Sequence, residues 1–248
     1  MDVFYLYIEN CLVQSMEKGE VENSKVLVVV AALNEEDGIG LTLDEIRYIL
    51  RDAHCLVVDG KSTDSTVEIA KKMGAHVIYQ TGTGKGDAIA CAIEHLRSNS
   101  HDFKYVVFID ADFTYPAEYL PEMIKILEEN FEVGMVCGNR FNRHLSLRSM
   151  SNMFYVGNRL LALIHNVFNG IDLRDPLTGL RVVRWEILRR WQPKSKSFDI
   201  EVELNHFVEN CGYKIVEVPI RYRPRLGEKK LKLKHGFTIL KRILLESI

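Results

Sequence analysis

The chain has no run approaching the roughly 18 apolar residues that a membrane-crossing helix needs. Its start, Met1-Asp-Val-Phe-Tyr-Leu-Tyr-Ile, has no basic stretch ahead of the apolar one, as a secretory leader would. A spanning helix and a leader are therefore not expected, and the protein is expected in the cytoplasm. Cysteine is sparse: Cys11, Cys55, Cys91, Cys137 and Cys211 are odd in number and include no C-x-x-C pair. That excludes a disulfide framework or a zinc site and fits buried thiols in a reducing compartment. The net charge is only −2, so no chain-wide attraction for a polyanion such as nucleic acid operates. Internal repeats, low-complexity tracts and a clear linker are absent too. The 248 residues are read as one domain over 25–248, preceded by an arm at 1–24 to which no function attaches.

What is present is alternation. Residues 25–31 and 53–59 are rich in β-branched residues, 75–80 form a shorter run, and Tyr105-Val-Val-Phe-Ile-Asp110 is apolar until its last position. Between them a helical period runs through Ile39, Leu43, Ile46 and Leu50, and further helices are predicted over 65–73, 88–96 and 117–130. Buried strands alternating with helices predict an α/β protein with a mostly parallel central sheet flanked by helices. Farther on, the pattern predicts a strand at 133–137, a long helix at 150–166, then strand, helix and strand at 181–183, 201–209 and 213–219. A closing helix at 236–245 would carry Phe237, Leu240, Ile243 and Leu244 on one face. Trp185, Trp191, His144 and His165 are read as packing residues.

In open α/β sheets, ligands bind beyond the carboxyl ends of the strands. Asp110-Ala-Asp112 lies at such an end, and two acids crowded there repel unless a cation sits between them. A divalent metal on a phosphate ligand would answer this, as would a plain surface turn. Asn34 and Glu35 follow the first strand. Asp59 follows the second, where a carboxylate can accept hydrogen bonds from a ribose or base, or cap the next turn. Gly82-Thr-Gly84-Lys85-Gly86 matches neither the P-loop nor the dinucleotide fingerprint. Glycines with a lysine at a helix start can still approach a phosphate, or simply make a tight turn. Residues 221–248 hold nine Lys/Arg against Glu228 and Glu246, a basic end suited to a phosphate or an anionic surface.

Ala31-Ala-Leu-Asn34-Glu35, Val57-Val-Asp59-Gly-Lys-Ser62-Thr-Asp64, Gly84-Lys-Gly86 and Asp110-Ala-Asp112 occur in order, each at a strand end. Together they resemble the family 2 glycosyltransferases of the GT-A fold, within these the dolichyl- and polyprenyl-phosphate sugar synthases. Gly138-Asn-Arg140-Phe141, Asp175-Pro-Leu-Thr178-Gly179, Glu217-Val-Pro219 and Arg225-Leu-Gly227-Glu-Lys-Lys230-Leu231 extend the likeness over about residues 25–245.

The resemblance implies an inverting transfer of sugar from a nucleotide sugar to a dolichyl or polyprenyl phosphate. It implies Mg²⁺ or Mn²⁺ held by Asp110 and Asp112, which are also the catalytic candidates. Ala31, Asn34, Glu35, Asp59, Lys85, Asp110 and Arg140 would surround the nucleotide sugar. Arg140, Arg225 and Lys230 would meet the acceptor phosphate, and Asp175 would line the acceptor side. The basic end and closing helix would rest on the cytoplasmic membrane face, with a membrane-anchoring partner as an option; a solvated hairpin with a core helix is the other reading. A saccharide or soluble acceptor, with Asp175 as acid–base, and a non-catalytic nucleotide-sugar-binding protein remain alternatives. Four positions depart from the family pattern: Ala31 for proline, Gly60 for the second acid, Thr114 for Gln or Ser, and Lys229 for Ser.

Overall fold

A computed structural model describes residues 23–99, 102–141, 152–230 and 234–246. The expected arm at 1–24, apart from a 3-10 turn at Asn23–Lys25, and His144 lie outside these residues. Among the described residues, seven strands form one sheet: β1 (Val26–Ala32), β2 (His54–Asp59), β3 (His76–Tyr79), β4 (Tyr105–Asp110), β5 (Val133–Asn139), β6 (Arg181–Arg184) and β7 (Lys214–Pro219). Their order is β3-β2-β1-β4-β6-β5-β7. Only β6 runs against its neighbours β4 and β5; the other pairs are parallel.

The helices are α1 (Glu36–Ile49), α2 (Thr66–Lys72), α3 (Lys85–Ser98), α4 (Leu120–Glu129), α5 (Asn152–Asn169), α6 (Trp185–Leu188), α7 (Ile200–Asn210) and α8 (Lys234–Glu246). The β1 residues alternate between two cores because strand side chains alternate faces. Val26, Val28 and Val30 meet α1 and α4 through Ile39, Leu43, Met123 and Leu127. Leu27 and Val29 meet α3 and α7 through Ile89, Ile93, Ile200 and Leu204. A small third cluster, Val202 with Ile239 and Ile243, backed by Leu161 and Ile164, seats α8 and α5 on α7.

The structure corrects several expected boundaries. α3 starts at Lys85 rather than 88, so Lys85 and Gly86 lie in its first turn. β5 runs on to Asn139, and β6 includes Arg184. The helix expected at 117–130 is a 3-10 turn, Ala117–Tyr119, leading into α4, where Pro121 suits the start of a helix. The short α6 has no sequence forecast. Trp191 and His165 are buried, as packing residues should be.

Register puts the strand-end motifs in one row. Ala31 pairs with Val58 on one side and Asp110 on the other, and Ala32 pairs with Asp59. α1 then crosses directly over the loop beyond β4. A Cβ on Gly38 would meet the Ala111 carbonyl oxygen at 2.6 Å and Asp112 Cα at 2.8 Å. Only glycine allows that approach. Gly38→Ala should lower stability by about 1–3 kcal/mol through overpacking, read as a fall in the urea midpoint. An unchanged midpoint would mean that the helix yields freely over Asp112.

Candidate active site

Three non-glycine residues among those described have positive φ: Asn34 (51°), Lys61 (68°) and Phe113 (62°). They follow β1, β2 and β4 respectively. Such residues cost of order 1–3 kcal/mol each and persist where the surroundings fix a loop's shape. Here the loops are laced to one another. The Asn34 N–H donates to Ser62 Oγ at 2.8 Å, and Asn34 Oδ1 accepts from the Thr63 N–H at 2.8 Å. The Glu35 N–H donates to Thr66 Oγ1 at 2.8 Å. Asp59 is fully buried and accepts from the Ser62 N–H (2.9 Å) and hydroxyl (2.6 Å). Its side chain therefore anchors the turn that aligns Asn34.

Each acid of the Asp110-Ala-Asp112 pair is met by a cation from a distant segment. Lys85 Nζ donates to Asp110 Oδ1 at 2.7 Å and also reaches Glu201 Oε1 at 2.8 Å. Burial alone would lower the Lys85 pKa, but the Asp110 and Glu201 charges outweigh it and the net shift is upward. Arg225 bridges Asp112 Oδ2 and Glu35 Oε1. The other Asp112 oxygen accepts from the Thr114 N–H (3.1 Å) and hydroxyl (2.6 Å), which is the work done by the unusual Thr114. Burial, then repulsion from Asp110, raises the Asp112 pKa against the pull of Arg225 and Thr114. Glu35 Oε2 and Arg225 Nε are buried without a hydrogen-bond partner. Burial pushes the Glu35 carboxyl up to about 7, with Arg225 only partly opposing it.

The segment carrying Arg225 is strapped over this rim. The Arg223 N–H donates to the Thr114 carbonyl (2.9 Å) and the Leu226 N–H to the Asp112 carbonyl (3.2 Å). Arg223 forks onto Glu45 (2.9 and 2.6 Å) and lies 4.3 Å over the Phe113 ring. Lys230 Nζ donates to the Asn34 carbonyl at 3.1 Å.

Beside it, Arg140 grips Asp175 with Nε and Nη2, each at 2.7 Å, and both residues are buried. Glu217 holds that loop by accepting from the Arg174 (2.8 Å) and Asp175 (2.7 Å) N–H groups. The buried Tyr115 hydroxyl accepts from the Gly179 N–H at 2.7 Å. A Cβ on Gly179 would sit 2.6 Å from Asp110 Oδ2, so the loop packs directly on the acid pair. Burial, and after it the Arg225 and Arg140 charges, lower the Lys229 pKa. A separate groove of about 500 Å³ at the opposite end of the sheet contains Arg47, His54, His76 and His95. Arg47 there donates to the Met73 carbonyl at the carboxyl end of α2, a partner it suits, and none of the expected site residues line the groove.

A family model described as "Glycosyl transferase family 2" matches residues 27–191, covering β1 through Trp191. The chain belongs to that family. It is a glycosyltransferase, and its fold is GT-A. Dolichyl-phosphate hexose transferase of Haloferax volcanii is 37% identical over 207 residues, 82% of this chain and 85% of that one. Undecaprenyl-phosphate mannosyltransferase of Micrococcus luteus is 28% identical, over 84% of this chain and 87% of the other. Glucosyl-3-phosphoglycerate synthase from Mycobacterium tuberculosis, solved with phosphoglyceric acid, has a TM-score of 0.73 at 21% identity, over 93% of this chain and 85% of that one. Two further Haloferax volcanii relatives are longer, and this chain spans 63% and 49% of their lengths.

In this glycosyltransferase the candidate residues pair in three groups: Lys85 with Asp110, Arg225 with Asp112 and Glu35, and Lys230 with the Asn34 carbonyl. Arg140 and Asp175 adjoin them through the Arg140–Tyr222 and Tyr222–Tyr115 contacts. Asp59 stands behind these groups, and Ala31 borders them through its pairing with Asp110. The sequence reading missed Glu201, Tyr115 and Glu45 as members of the site, and Glu217 as the clamp of the Asp175 loop. Glu201 carried one faint signal, the acidic spacing Asp199-Ile-Glu201-Val-Glu203 at a helix start.

Folded Glu35 holds its proton up to about pH 7, well above an unfolded glutamate. Its contribution to stability is therefore full at low pH and lost as pH rises through 7. Without metal or nucleotide, the urea midpoint should fall between pH 5 and 8 by more in the wild type than in Glu35→Gln. Equal slopes would reject the shifted carboxyl.

Proposed function

We propose that the chain transfers a hexose, or N-acetylhexosamine, from a nucleotide sugar to dolichyl or polyprenyl phosphate, with inversion, at the cytoplasmic membrane face. The observation that carries this reading is the set of cations along the rim: Arg140 on Asp175, Arg225 across Asp112 and Glu35, and Lys230 on the Asn34 carbonyl. A hydroxyl acceptor needs a base to take its proton. A phosphate monoester, with a second pKa of about 6, is already anionic near neutrality and needs cations to hold it. Asp175, the acid–base candidate for a saccharide acceptor, is committed to Arg140 through both oxygens. The names of the Haloferax and Micrococcus relatives favour a lipid phosphate.

Asp110 and Asp112 fit a shared divalent ion. They offer hard carboxylate oxygens, and cationic side chains already stand at both. No group of three or more ligating side chains occurs among the described residues, so Mg²⁺ or Mn²⁺ held by the two aspartates would take further oxygens from substrate phosphates. Related folds were solved with Mn²⁺ and UDP-glucose. Such an ion would supply electrostatic stabilisation to the departing diphosphate.

The chain's own residues do the rest. Asn34 and Glu35, on the braced β1 loop, face the nucleotide, and Asp59 holds that loop in shape through Ser62. Lys85 restrains Asp110 from below, with Glu201 holding the ammonium. Arg225 and Lys230, on the strap, meet phosphate oxygens and close the rim against water. Arg140, aligned by Asp175, orients the acceptor phosphate for attack at the anomeric carbon from the side opposite the leaving diphosphate. That single displacement inverts the anomeric configuration. GDP-mannose, UDP-hexose and UDP-N-acetylglucosamine are the donors in this reading. Membrane contact is peripheral, with a membrane-anchoring partner as an additional route.

The test offers labelled GDP-mannose, UDP-glucose and UDP-N-acetylglucosamine with polyprenyl phosphate, with and without Mn²⁺, and scores lipid-linked product. One donor should give metal-dependent product, and Asp112→Ala should cut the rate by about 10²-fold or more. Full activity in that variant removes the metal role, and no lipid-linked product with any donor removes the lipid-phosphate reading. Lys230→Ala should weaken lipid-phosphate use while calorimetric donor binding holds. Equal loss of both would move Lys230 to the donor side.

A further inference from the structure

Eight of the thirteen large hydrophobic side chains exposed among the described residues lie on just two helices. On α5 they are Val156, Leu160, Leu163, Val167 and Phe168; on α8 they are Phe237, Leu244 and Leu245. Val156, Leu160, Leu163 and Val167 recur at helical spacing and make one outward stripe. Leu163 is 61%, Val167 70% and Phe237 78% exposed. The inner faces of the same helices are already used: Ile239 and Ile243 of α8, with Leu161 and Ile164 of α5, pack on Val202. Two apolar sides on each helix, one core and one facing out, need a second partner for the outer one.

Charge says which partner. α5 contains no acidic residue, and its exposed Arg159 sits beside the stripe. On α8, exposed Lys241 lies between Phe237 and Leu244, and the single carboxylate, Glu246, bonds Arg242 at 3.2 Å. A cationic, apolar plate suits an anionic lipid surface. A second copy would set these cations against their own equivalents. The plate also begins at the site: Arg159 lies 5.5 Å over the Phe141 ring, and Phe141 contacts both Tyr155 (5.4 Å) and Arg140 (5.8 Å).

We propose that α5 and α8 together form the face by which this protein lies on an anionic bilayer, with the α5 stripe inserted and Arg159 and Lys241 at headgroup level. The inference rests on the lipid-phosphate reading for its purpose: it brings the membrane to the Arg140 side of the rim. It moves the main membrane contact away from the basic segment, where Arg223, Arg225 and Lys230 are turned inward to Glu45, Asp112, Glu35 and the β1 loop. No described helix is long and apolar enough to cross a membrane, so the contact is interfacial.

The test is co-sedimentation of the full chain with phosphatidylcholine vesicles, with and without phosphatidylglycerol. The vesicles carry no polyprenyl phosphate and no nucleotide sugar, so binding is scored independently of turnover. The wild type should bind, more strongly with phosphatidylglycerol. Leu160→Ser/Leu163→Ser/Phe237→Ser should lose about tenfold or more in partitioning, the scale expected from removing several buried apolar side chains. Its melting temperature should stay near wild type, because all three positions are exposed. Lys241→Glu should remove mainly the phosphatidylglycerol-dependent part. Wild-type levels of binding in the triple variant, or no binding by the wild type, overturn the proposal. So does a wild-type dimer in light scattering that the triple variant converts to monomer while neither binds vesicles. Transfer to a short-chain, detergent-soluble prenyl phosphate is measured in parallel. If that transfer persists in the triple variant while vesicle binding is lost, the docking face is separated from the chemistry. If transfer is absent in the wild type while vesicles bind, the acceptor reading fails and the docking face stands.

Discussion

The site depends on the mutual repulsion of Asp110 and Asp112, two carboxylates held at the end of a buried strand. That charge has to be balanced, and the chain does so from far away in sequence. Lys85 comes from the start of α3 and Arg225 from the strap after β7. Each cation is shared with a second acid, Glu201 and Glu35 respectively. The four ion pairs therefore tie the first half of the sheet to the last third of the chain at one rim. An uncompensated buried charge is expensive, so the pairs, more than any single loop, explain why residues 223–230 lie where they do.

The parallel half of the fold was legible because it obeys local rules. Runs such as 26–32 and 105–110 are apolar on both faces, as two-sided burial requires, and the acids and amides mark where those runs leave the core. The ordered strand-end motifs then marked residues that the fold brings to one rim. β6 was harder: two of its four residues are arginines, and both are buried, Arg181 bonding Asn205, Thr178 and Pro176, and Arg184 bonding backbone carbonyls. A buried arginine contradicts the apolar pattern from which strands are read. The partners Glu201 and Glu45 were harder to read for another reason: an ion pair across the fold leaves little mark in local spacing.

α8 shows the same limit on a smaller scale. The periodicity grouped Phe237, Leu240, Ile243 and Leu244 on one face. In the fold, Ile239 and Ile243 are buried, whereas Phe237 and Leu244 are exposed. Its apolar stripe is wide enough that sequence alone does not select the buried edge, and α7 makes that choice through Val202. The residues left over are those that make α8 and α5 apolar on the outside.

The reversed strand has a consequence for how the enzyme is divided. Because β6 runs antiparallel, the chain leaves the rim at Asn139 and re-enters it near Arg181, and everything between is one excursion. That excursion holds Arg140, α5 and the Asp175 loop, whereas the β1, β2 and β4 ends that hold Asn34, Asp59 and Asp110 precede it. Arg140 and Asp175 thus lie in one stretch of sequence, apart from the strand ends that carry Asn34, Asp59 and Asp110. Lengthening or re-facing the stretch between β5 and β6 would change what is presented to the rim while leaving untouched the β1–β4 register that fixes Asp110.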